Sequence, residues 1–261
     1  MVGPIPLTLP ARSAKPRTVG ITNLVDDGNG VGALADALDL VHPFVDIVKL
    51  GWASSHITSR LTEKIELFRR YDIRTCFGGM MFELCYWQNQ IDAYASWLRD
   101  LGVDLVEVSN GSLPIPEADK CRMVERFANM GFTVLAEVGS KDVTVETPPE
   151  VWIQAIRDDL NAGAWKVITE GRADASAGIY RADGSIRVEI VEAILCSGIP
   201  TTDLIIEAPH KKEMVFFIKR LGSDVNFGNI PLDQVLNLEK LRLGLRGDTV
   251  QHFHLANRGI E

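Results

Sequence analysis

The chain has 261 residues, of which 46% are hydrophobic and 24% are charged, and its formal net charge is −8 at pH 7. This length suffices for one large core, and the composition is typical of a globular protein in water. The acidic charge argues against a nucleic-acid partner, and no apolar run is long enough to predict a membrane span.

The N-terminal residues 1–17 are rich in proline and lack the unbroken apolar core of a signal peptide. We expect them to form an arm outside the fold or a contact with a partner, and residues 18–261 to form one domain. The four cysteines show no CxxC spacing: Cys76, Cys85, Cys121 and Cys196. Such scattered thiols indicate a reducing compartment, so we expect a cytoplasmic protein.

Short apolar runs alternate with helical patterns along the rest of the chain. The predicted strands begin near residues 18, 46, 74, 105, 133, 165, 204 and 225. A helical pattern follows each strand, from ALADALDLV after the first to DQVLNLEKLRLGL after the last. A spacing of about 30 residues matches one strand–helix unit. Eight such units favour an α/β fold of the closed (β/α)₈ type, a single TIM barrel, over a doubly wound open sheet.

Four glutamates recur near the ends of consecutive predicted strands: Glu107, Glu137, Glu170 and Glu207. In a parallel barrel these carboxylates emerge at the same rim, where active sites lie. Buried carboxylates are costly unless they bind hydrogen-bond donors, cations or a metal ion, and oxygen ligands suit Mg²⁺ or Mn²⁺ better than zinc. The alternative is that some of them point outward or pair structurally with Lys49, Lys166 or Arg172.

Other predicted strand ends carry cations, amides and small polar groups. They include Lys49, Ser109, Asn110, Lys141, Arg172, His210, Asn226, Gly228 and Asn229. A hard metal next to a lysine is typical of enolate chemistry, because the metal neutralises charge on a carboxylate while the lysine transfers a proton. The segment NFGNI offers backbone N–H groups in a region where barrels commonly bind anions. For Lys141, a solvent-exposed position in the loop KDVTVE is the competing interpretation.

Ten segments occur in a fixed order between Lys15 and Thr249: KPRTVGIT, VDIVKLGW, EKIELFRRYDI, GGMMFE, LVEVSNGS, GFTVLAEVGSKD, LNAGAWKVITEGR, EAPHK, NFGNI and LRLGLRGDT. They resemble the phosphosulfolactate synthase family, whose members join sulfite to phosphoenolpyruvate in a Mg²⁺-dependent step of coenzyme M biosynthesis. The resemblance implies a (β/α)₈ barrel, in agreement with the strand count.

The resemblance also implies roles for the residues at the rim. Lys141 becomes the general acid, and Lys49 and Arg172 become the cations that bind anions during catalysis. The four glutamates supply the Mg²⁺ ligands. A small phosphorylated carboxylate is the implied substrate, and we expect sulfite to attack its C2 and the lysine to protonate C3. The remaining candidates are predicted to bind this substrate: Ser109, Asn110, His210, Asn226, Gly228 and Asn229.

The chain departs from the family pattern near several strand ends: at Met80, Asn110, Ser140, Gly171, Ala173, Asp174, Ala175 and Glu213. Three functions therefore stay open. The first is the addition of sulfite or another small nucleophile to phosphoenolpyruvate. The second is a metal-dependent aldolase or isomerase acting on a phosphorylated enolate precursor, and the third is a non-catalytic binding protein. The retained lysine and glutamates argue against the third, and the sequence leaves self-association into a homo-oligomer open.

Overall fold

The computed structural model of the chain describes residues 5–142, 147–172 and 174–255. Residues 1–4 of the predicted arm lie outside this part, as do residues 143–146 of the loop KDVTVE, Ala173, and residues 256–261 of the predicted domain. Eight parallel strands close into a barrel in sequence order, from the first strand round to the eighth. The predicted single (β/α)₈ barrel is thus confirmed.

The strands are short and begin close to the predicted positions. Their bounds are β1 Thr22–Asp26, β2 Ile47–Leu50, β3 Arg74–Phe77, β4 Leu105–Val108, β5 Thr133–Val138, β6 Lys166–Thr169, β7 Leu204–Glu207 and β8 Phe227–Pro231. Each strand pairs in parallel with the next, and β1 pairs with β8 to close the barrel. The first strand starts later than predicted, at Thr22 rather than near residue 18.

The helices lie outside the barrel. Their bounds are α1 Val31–Val41, α2 Ser54–Ile57, α3 Leu61–Arg70, α4 Gly79–Trp87, α5 Ile91–Asp100, α6 Glu117–Asn129, α7 Pro149–Asn161, α8 Val188–Cys196, α9 Lys211–Leu221, α10 Val235–Arg242 and α11 Gly247–His254. The predicted strict alternation was wrong, because α2, α4 and α11 are additional. Helix α4 escaped prediction because more than one of its faces is apolar, which removes the helical period from its sequence. In the described part of the chain, no helix combines the length and apolarity needed to cross a bilayer.

Two layers of side chains fill the inside of the barrel. The lower layer is apolar and consists of Ile21, Ile47, Cys76, Leu105, Leu135, Ile168 and Ile205. Because side chains alternate along a strand, the residue two positions later points inward again. Those positions carry Asn23, Lys49, Gly78, Glu107, Glu137, Glu170 and Glu207. An apolar plug therefore supports a layer rich in charged groups at the carboxyl ends of the strands.

The N-terminal arm contacts the opposite end of the barrel. The guanidinium of Arg12 lies 2.9 Å from Asp224 and 3.1 Å from Glu239, and Arg17 lies 3.0 Å from Asp46. Residues 5–17 contain no helix or strand. The arm is therefore attached to the fold by ion pairs, and its boundary at residue 17 remains a prediction.

Candidate active site

A cavity of about 370 Å³ opens at the carboxyl ends of the strands. Its lining consists of Val25, Lys49, Gly51, Trp52, Gly78, Gly79, Met80, Glu107, Ser112, Glu137, Lys141, Glu170, Arg172, Asp174, Glu207 and Asn229. All four predicted glutamates are among these residues, and each of their side chains is at most 3% exposed. The cavity has the size of a site for a small ligand.

Lys49 lies at the centre of the charged layer. Its Nζ atom is 2.9 Å from Glu207 Oε1, 3.5 Å from Glu107 Oε2 and 4.0 Å from Glu137 Oε2. Burial would lower the pKa of Lys49, but the surrounding carboxylates outweigh burial and raise its pKa well above the usual value. Lys49 is therefore a permanent positive charge beneath the cavity.

Lys141 lies just beyond β5, where it bridges two neighbouring carboxylates. Its Nζ atom is 2.5 Å from Glu137 Oε1 and 2.9 Å from Glu170 Oε2, and its side chain is 30% exposed. Burial lowers the pKa of Lys141, but Glu137 and Glu170 together raise it well above its usual value. The ammonium group is thus protonated at neutral pH and reaches the cavity from the side.

Backbone N–H groups fix the orientation of three of the glutamates. The N–H of Gly79 donates to Glu107 Oε1 at 2.6 Å, the N–H of Gly171 donates to Glu207 Oε2 at 2.9 Å, and the N–H of Arg172 donates to Glu170 Oε1 at 2.7 Å. A Cβ atom on residue 79 would lie 2.1 Å from the Oγ of a neighbouring serine, so this close approach requires glycine. The carboxylates are therefore held in fixed positions before any ligand binds.

The site carries more negative than positive charge, since four carboxylates surround two ammonium groups. Burial raises the pKa of Glu107 to about 7, despite the opposing effect of Lys49. Burial and the carboxylates of Glu137 and Glu207 raise the pKa of Glu170 well above its usual value. Against burial, Lys141 and Lys49 lower the pKa of Glu137 to about 2. The site therefore retains protons that an incoming cation would displace.

The four glutamates do not form a closed metal cage. Within residues 5–142, 147–172 and 174–255, no three His, Cys, Asp or Glu side chains are gathered closely enough to hold a metal ion. Mg²⁺, however, commonly uses only one or two protein carboxylates and takes its other ligands from water and substrate. Glu107 Oε2 is buried and makes no hydrogen bond, and Lys49 approaches it only to 3.5 Å. The donor set thus fits a hard cation held at Glu107.

Three non-glycine residues of the lining adopt left-handed backbone conformations. The φ angles are 47° at Trp52, 58° at Arg172 and 53° at Asn229. Such strain is concentrated at functional sites. The Oδ1 atom of Asn229 is buried without a hydrogen-bond partner, and the half-exposed guanidinium of Arg172 lies 4.0 Å from Asp174. Both side chains are therefore available to a ligand in the cavity.

Two candidates from the predicted phosphate segment do not line the cavity. The amide of Asn226 donates to the carbonyls of Thr202 and Leu204 and accepts the N–H of Ile21, at 2.8–3.0 Å. These contacts place Asn226 at the N-terminal end of the barrel, contrary to the prediction that it binds substrate. Gly228 lies in the barrel wall, where a Cβ atom would approach Ile205 to 3.1 Å.

Three further candidates stabilise loops or helix ends instead of lining the cavity. The hydroxyl of Ser109 donates to Glu83 at 2.5 Å. The amide of Asn110 donates to the carbonyl of Ile115 at 3.1 Å and also binds a glutamate at the start of α6. His210 caps the start of α9, where its N–H donates to Glu213 at 3.1 Å. None of these three side chains lines the cavity, and their contact with substrate stays a prediction.

The departures from the family pattern have different consequences in the structure. Met80 and Asp174 line the cavity. Ser140 accepts the N–H of Asp142 at 3.0 Å, and Glu213 belongs to the cap of α9. Ala173 lies outside the described residues. The cavity thus differs from the family pattern through Met80 and Asp174, while Ser140 and Glu213 serve the backbone.

Sequence reasoning assigned no role to two residues near the site. Glu83 on α4 is fully buried and holds the loop that follows β4. A lone glutamate inside the apolar run GGMMFELCYW was the available signal, because a carboxylate there requires donors. Trp52 is 57% exposed at the mouth of the cavity, and an aromatic residue directly after a predicted strand was the corresponding signal.

The chain is similar to known proteins over nearly its whole length. The profile of the family described as (2R)-phospho-3-sulfolactate synthase (ComA) matches residues 10–248. The phosphosulfolactate synthase of Bacillus subtilis (strain 168) is 39% identical over 245 residues, which cover 93% of this chain and 97% of that protein. The phosphosulfolactate synthase of Methanothermobacter thermautotrophicus is 38% identical over 251 residues, which cover 94% and 97% of the two chains.

Among solved structures, the 3-hexulose-6-phosphate synthase from Salmonella typhimurium is similar with a TM-score of 0.55 and 14% identity, over 88% of this chain and 98% of that one. At this identity the likeness concerns the fold alone. The match over nearly the whole chain, together with two relatives above 35% identity, shows the family. The chain therefore belongs to the (2R)-phospho-3-sulfolactate synthase family and is an enzyme of the lyase type.

Proposed function

We propose that the enzyme adds sulfite to phosphoenolpyruvate, with Mg²⁺ as the cofactor, to give phosphosulfolactate. The observation that carries this proposal is the charged layer, in which Lys49 and Lys141 lie among four buried glutamates at the floor of one cavity. Such a layer suits a reaction in which negative charge builds up on a carboxylate and a proton is then delivered to carbon.

The expectation that sulfite attacks C2 was wrong. The family description names a product with the sulfo group on carbon 3 and the phospho group on the lactate hydroxyl, which is carried by carbon 2. The carbon–sulfur bond must therefore form at C3. The C2–C3 π bond breaks, and its electron pair moves to C2 and the adjoining carboxylate. A proton then adds at C2, the phosphate ester stays intact, and nothing is oxidised or reduced.

Lys141 is the residue that we assign to deliver this proton. The carboxylates of Glu137 and Glu170 keep it protonated, and its half-buried side chain borders the cavity. A donor fixed on one side of the substrate would protonate a single face of C2, which agrees with one configuration at that carbon. Lys49 also lines the cavity but is less suited, because its ammonium group is buried among three carboxylates.

Bound Mg²⁺ would stabilise the negative charge that develops on the substrate carboxylate. Glu107 would hold the ion together with one neighbouring glutamate, because its Oε2 atom lacks a hydrogen bond and its burial, which raises its pKa to about 7, leaves the ionised form in need of a cation. Burial and backbone donors would keep the remaining carboxylates oriented around Lys49 and Lys141.

The phosphate group of the substrate is assigned to the side of the cavity formed by Arg172 and Asn229. Arg172 supplies a guanidinium that approaches a carboxylate only to 4.0 Å, and guanidinium groups bind phosphate oxygens well. The left-handed backbone at both residues is strained, as is common where a ligand is held.

The four cysteines are free thiols, which supports a cytosolic location.

The test is to incubate the purified protein with phosphoenolpyruvate and Mg²⁺ and to add one nucleophile at a time. Phosphorus NMR should show a new phosphate ester with sulfite and no reaction without it. If phosphoenolpyruvate is consumed only with a different nucleophile, that nucleophile replaces sulfite in the proposal. Cleavage of a phosphorylated sugar, with no use of phosphoenolpyruvate, would favour the aldolase alternative instead.

A further inference from the structure

We propose that Glu83 is a positioning residue that holds the loop of residues 109–113 against Lys141. This inference rests on the proposed function, in which Lys141 protonates C2. Glu83 lies on α4, the additional helix between β3 and β4, and it does not line the cavity. It acts on the reaction only through the loop.

Glu83 is fully buried and binds three donors of this loop. Its Oε1 atom accepts the hydroxyl of Ser109 at 2.5 Å. Its Oε2 atom accepts the backbone N–H of Leu113 at 2.6 Å and that of Ser112 at 3.1 Å. A carboxylate with several charge-assisted hydrogen bonds fixes a segment that has no helix or strand of its own. Glu83 is thus the anchor of the loop.

The anchored loop forms one wall around Lys141. The backbone N–H of Lys141 donates to the carbonyl of Gly111 at 3.2 Å. A Cβ atom on Gly111 would lie 3.1 Å from the carbonyl oxygen of Gly139, 3.2 Å from Lys141 Nζ and 3.3 Å from Lys141 Cγ. The backbone of Gly111 therefore lies beside the Lys141 side chain, with little room between them for a side chain at residue 111.

The position of this wall matters because proton transfer depends strongly on geometry. A displacement of about 1 Å at a reacting group can lower a rate by about 100-fold. If the loop moves away, the side chain of Lys141 becomes more mobile and more exposed to water, while Glu137 and Glu170 stay in place. Ser112 of the loop lines the cavity, but Glu83 makes no hydrogen bond to Arg172 or to the glutamates of the charged layer, so the contacts assigned to the phosphate and the metal stay in place. The effect should thus appear in kcat rather than in KM.

The decisive variants are Glu83→Ala and Glu83→Gln. Glu83→Ala removes all three contacts, and we expect kcat to fall about 10–100-fold while KM for phosphoenolpyruvate changes little. Glu83→Gln should restore kcat to within a few-fold of wild type, because its amide can accept from the backbone N–H groups and donate to Ser109. A fall in both variants with a raised KM would overturn the proposal.

A double variant separates positioning from a general structural effect. In the Lys141→Met background, Glu83→Ala should cause little further loss of kcat, because the residue that it positions is already gone. A further loss equal to that seen with Lys141 present would show that Glu83 acts independently of Lys141, and the proposal would fail.

A second readout does not depend on activity. In protein with ¹³C-labelled lysine, the ε-carbon resonance of Lys141 is identified by its disappearance in Lys141→Met. Glu83→Ala should shift this resonance, and Glu83→Gln should leave it nearly unchanged. An unchanged resonance in Glu83→Ala would overturn the proposal. If the wild-type protein forms no adduct, the proposed function fails, yet this comparison still decides whether Glu83 positions Lys141.

Gly111→Ala tests the same link if Glu83→Ala does not fold. It keeps the contacts of Glu83 and places a methyl group against Lys141. We expect it to lower kcat and to shift the Lys141 resonance. Wild-type values for both would contradict the contact on which the proposal depends.

Discussion

Lys49 and Glu207 are 158 positions apart in the sequence, yet Lys49 Nζ lies 2.9 Å from Glu207 Oε1 inside the barrel. They come from β2 and β7, and both side chains are buried. The second oxygen of Glu207 accepts the N–H of Gly171. This pair therefore joins two distant strands and places a fixed positive charge under the carboxylates of the cavity.

Lys49→Met should destabilise the protein by about 3–5 kcal/mol, because it leaves buried carboxylates without their cation. Burial already raises the pKa of Glu107 to about 7, and loss of the Lys49 ammonium removes the charge that opposes this rise. A carboxyl group with a raised pKa binds its proton more tightly when folded. Its contribution to stability is then lost as pH rises through the window from the ordinary value to the raised one. The defect should therefore be larger at about pH 8 than at about pH 5.

Urea unfolding at the two pH values measures this difference. Lys219→Met is the matched control, because Lys219 is exposed on α9. An equal and small effect of both substitutions at both pH values would contradict the role assigned to Lys49.

Binding of Mg²⁺ should release protons. Glu107 has a pKa of about 7 in the folded protein against an ordinary value of 4.5, so it is partly protonated at neutral pH. A metal ion requires the ionised form, and the affinity for Mg²⁺ should therefore increase from about pH 6 to about pH 8. Calorimetry in buffers with different ionisation enthalpies measures the released protons directly. Glu107→Gln should abolish the release, whereas an enthalpy independent of the buffer would argue against Glu107 as the ligand.

Lys141→Met should lower kcat by about 10²–10⁴-fold with a modest change in ligand binding, as expected for the loss of a general acid. The substitution removes the only protonatable group of this side chain and keeps its apolar stem. Steady-state assays of the variant and of Lys219→Met provide the comparison. Activity within a few-fold of wild type would assign the proton to another group, such as Lys49 or a metal-bound water.

Phosphoenolpyruvate should raise the thermal midpoint when Mg²⁺ is present, because a ligand that binds only the native state stabilises it. The shift should be smaller in Arg172→Ala, since this residue is assigned to the phosphate. Arg181→Ala is a suitable control, because Arg181 pairs with Glu189 on the surface and does not line the cavity. Equal shifts in both variants would remove Arg172 from the phosphate site.

The sequence was sufficient to predict the barrel and the glutamates of the site. The barrel follows from eight apolar runs that alternate with helical patterns, and the glutamates follow from the carboxylates near the ends of four of these runs. Parallel strands bring such positions to one rim, and alternation along each strand turns Glu107 and Glu137 inward. Pairing of some glutamates with Lys49 was one of the predicted alternatives, but the sequence did not indicate that Glu207 would be the nearest partner, because contacts across the barrel leave no local pattern.

The less successful predictions share a different cause. Asn226 and Ser109 were assigned to substrate because they lie near the ends of predicted strands. Asn226, however, precedes β8 and binds backbone at the far end of the barrel, while the hydroxyl of Ser109 binds Glu83 on a helix that was not predicted. A position near a strand end does not predict the hydrogen-bond partner of a polar side chain, because that partner comes from another part of the chain.

The central claim concerns where the bond forms and which residue supplies the proton. The most direct measurement is carbon NMR of the product made from phosphoenolpyruvate labelled with ¹³C at C3, with sulfite and Mg²⁺ in D₂O. The account predicts that the labelled carbon carries the sulfonate and that one deuterium is bound to C2 in a single configuration, with product formation strongly slowed in Lys141→Met. A sulfonate on C2, deuterium on C3, or an undiminished rate in Lys141→Met would contradict it.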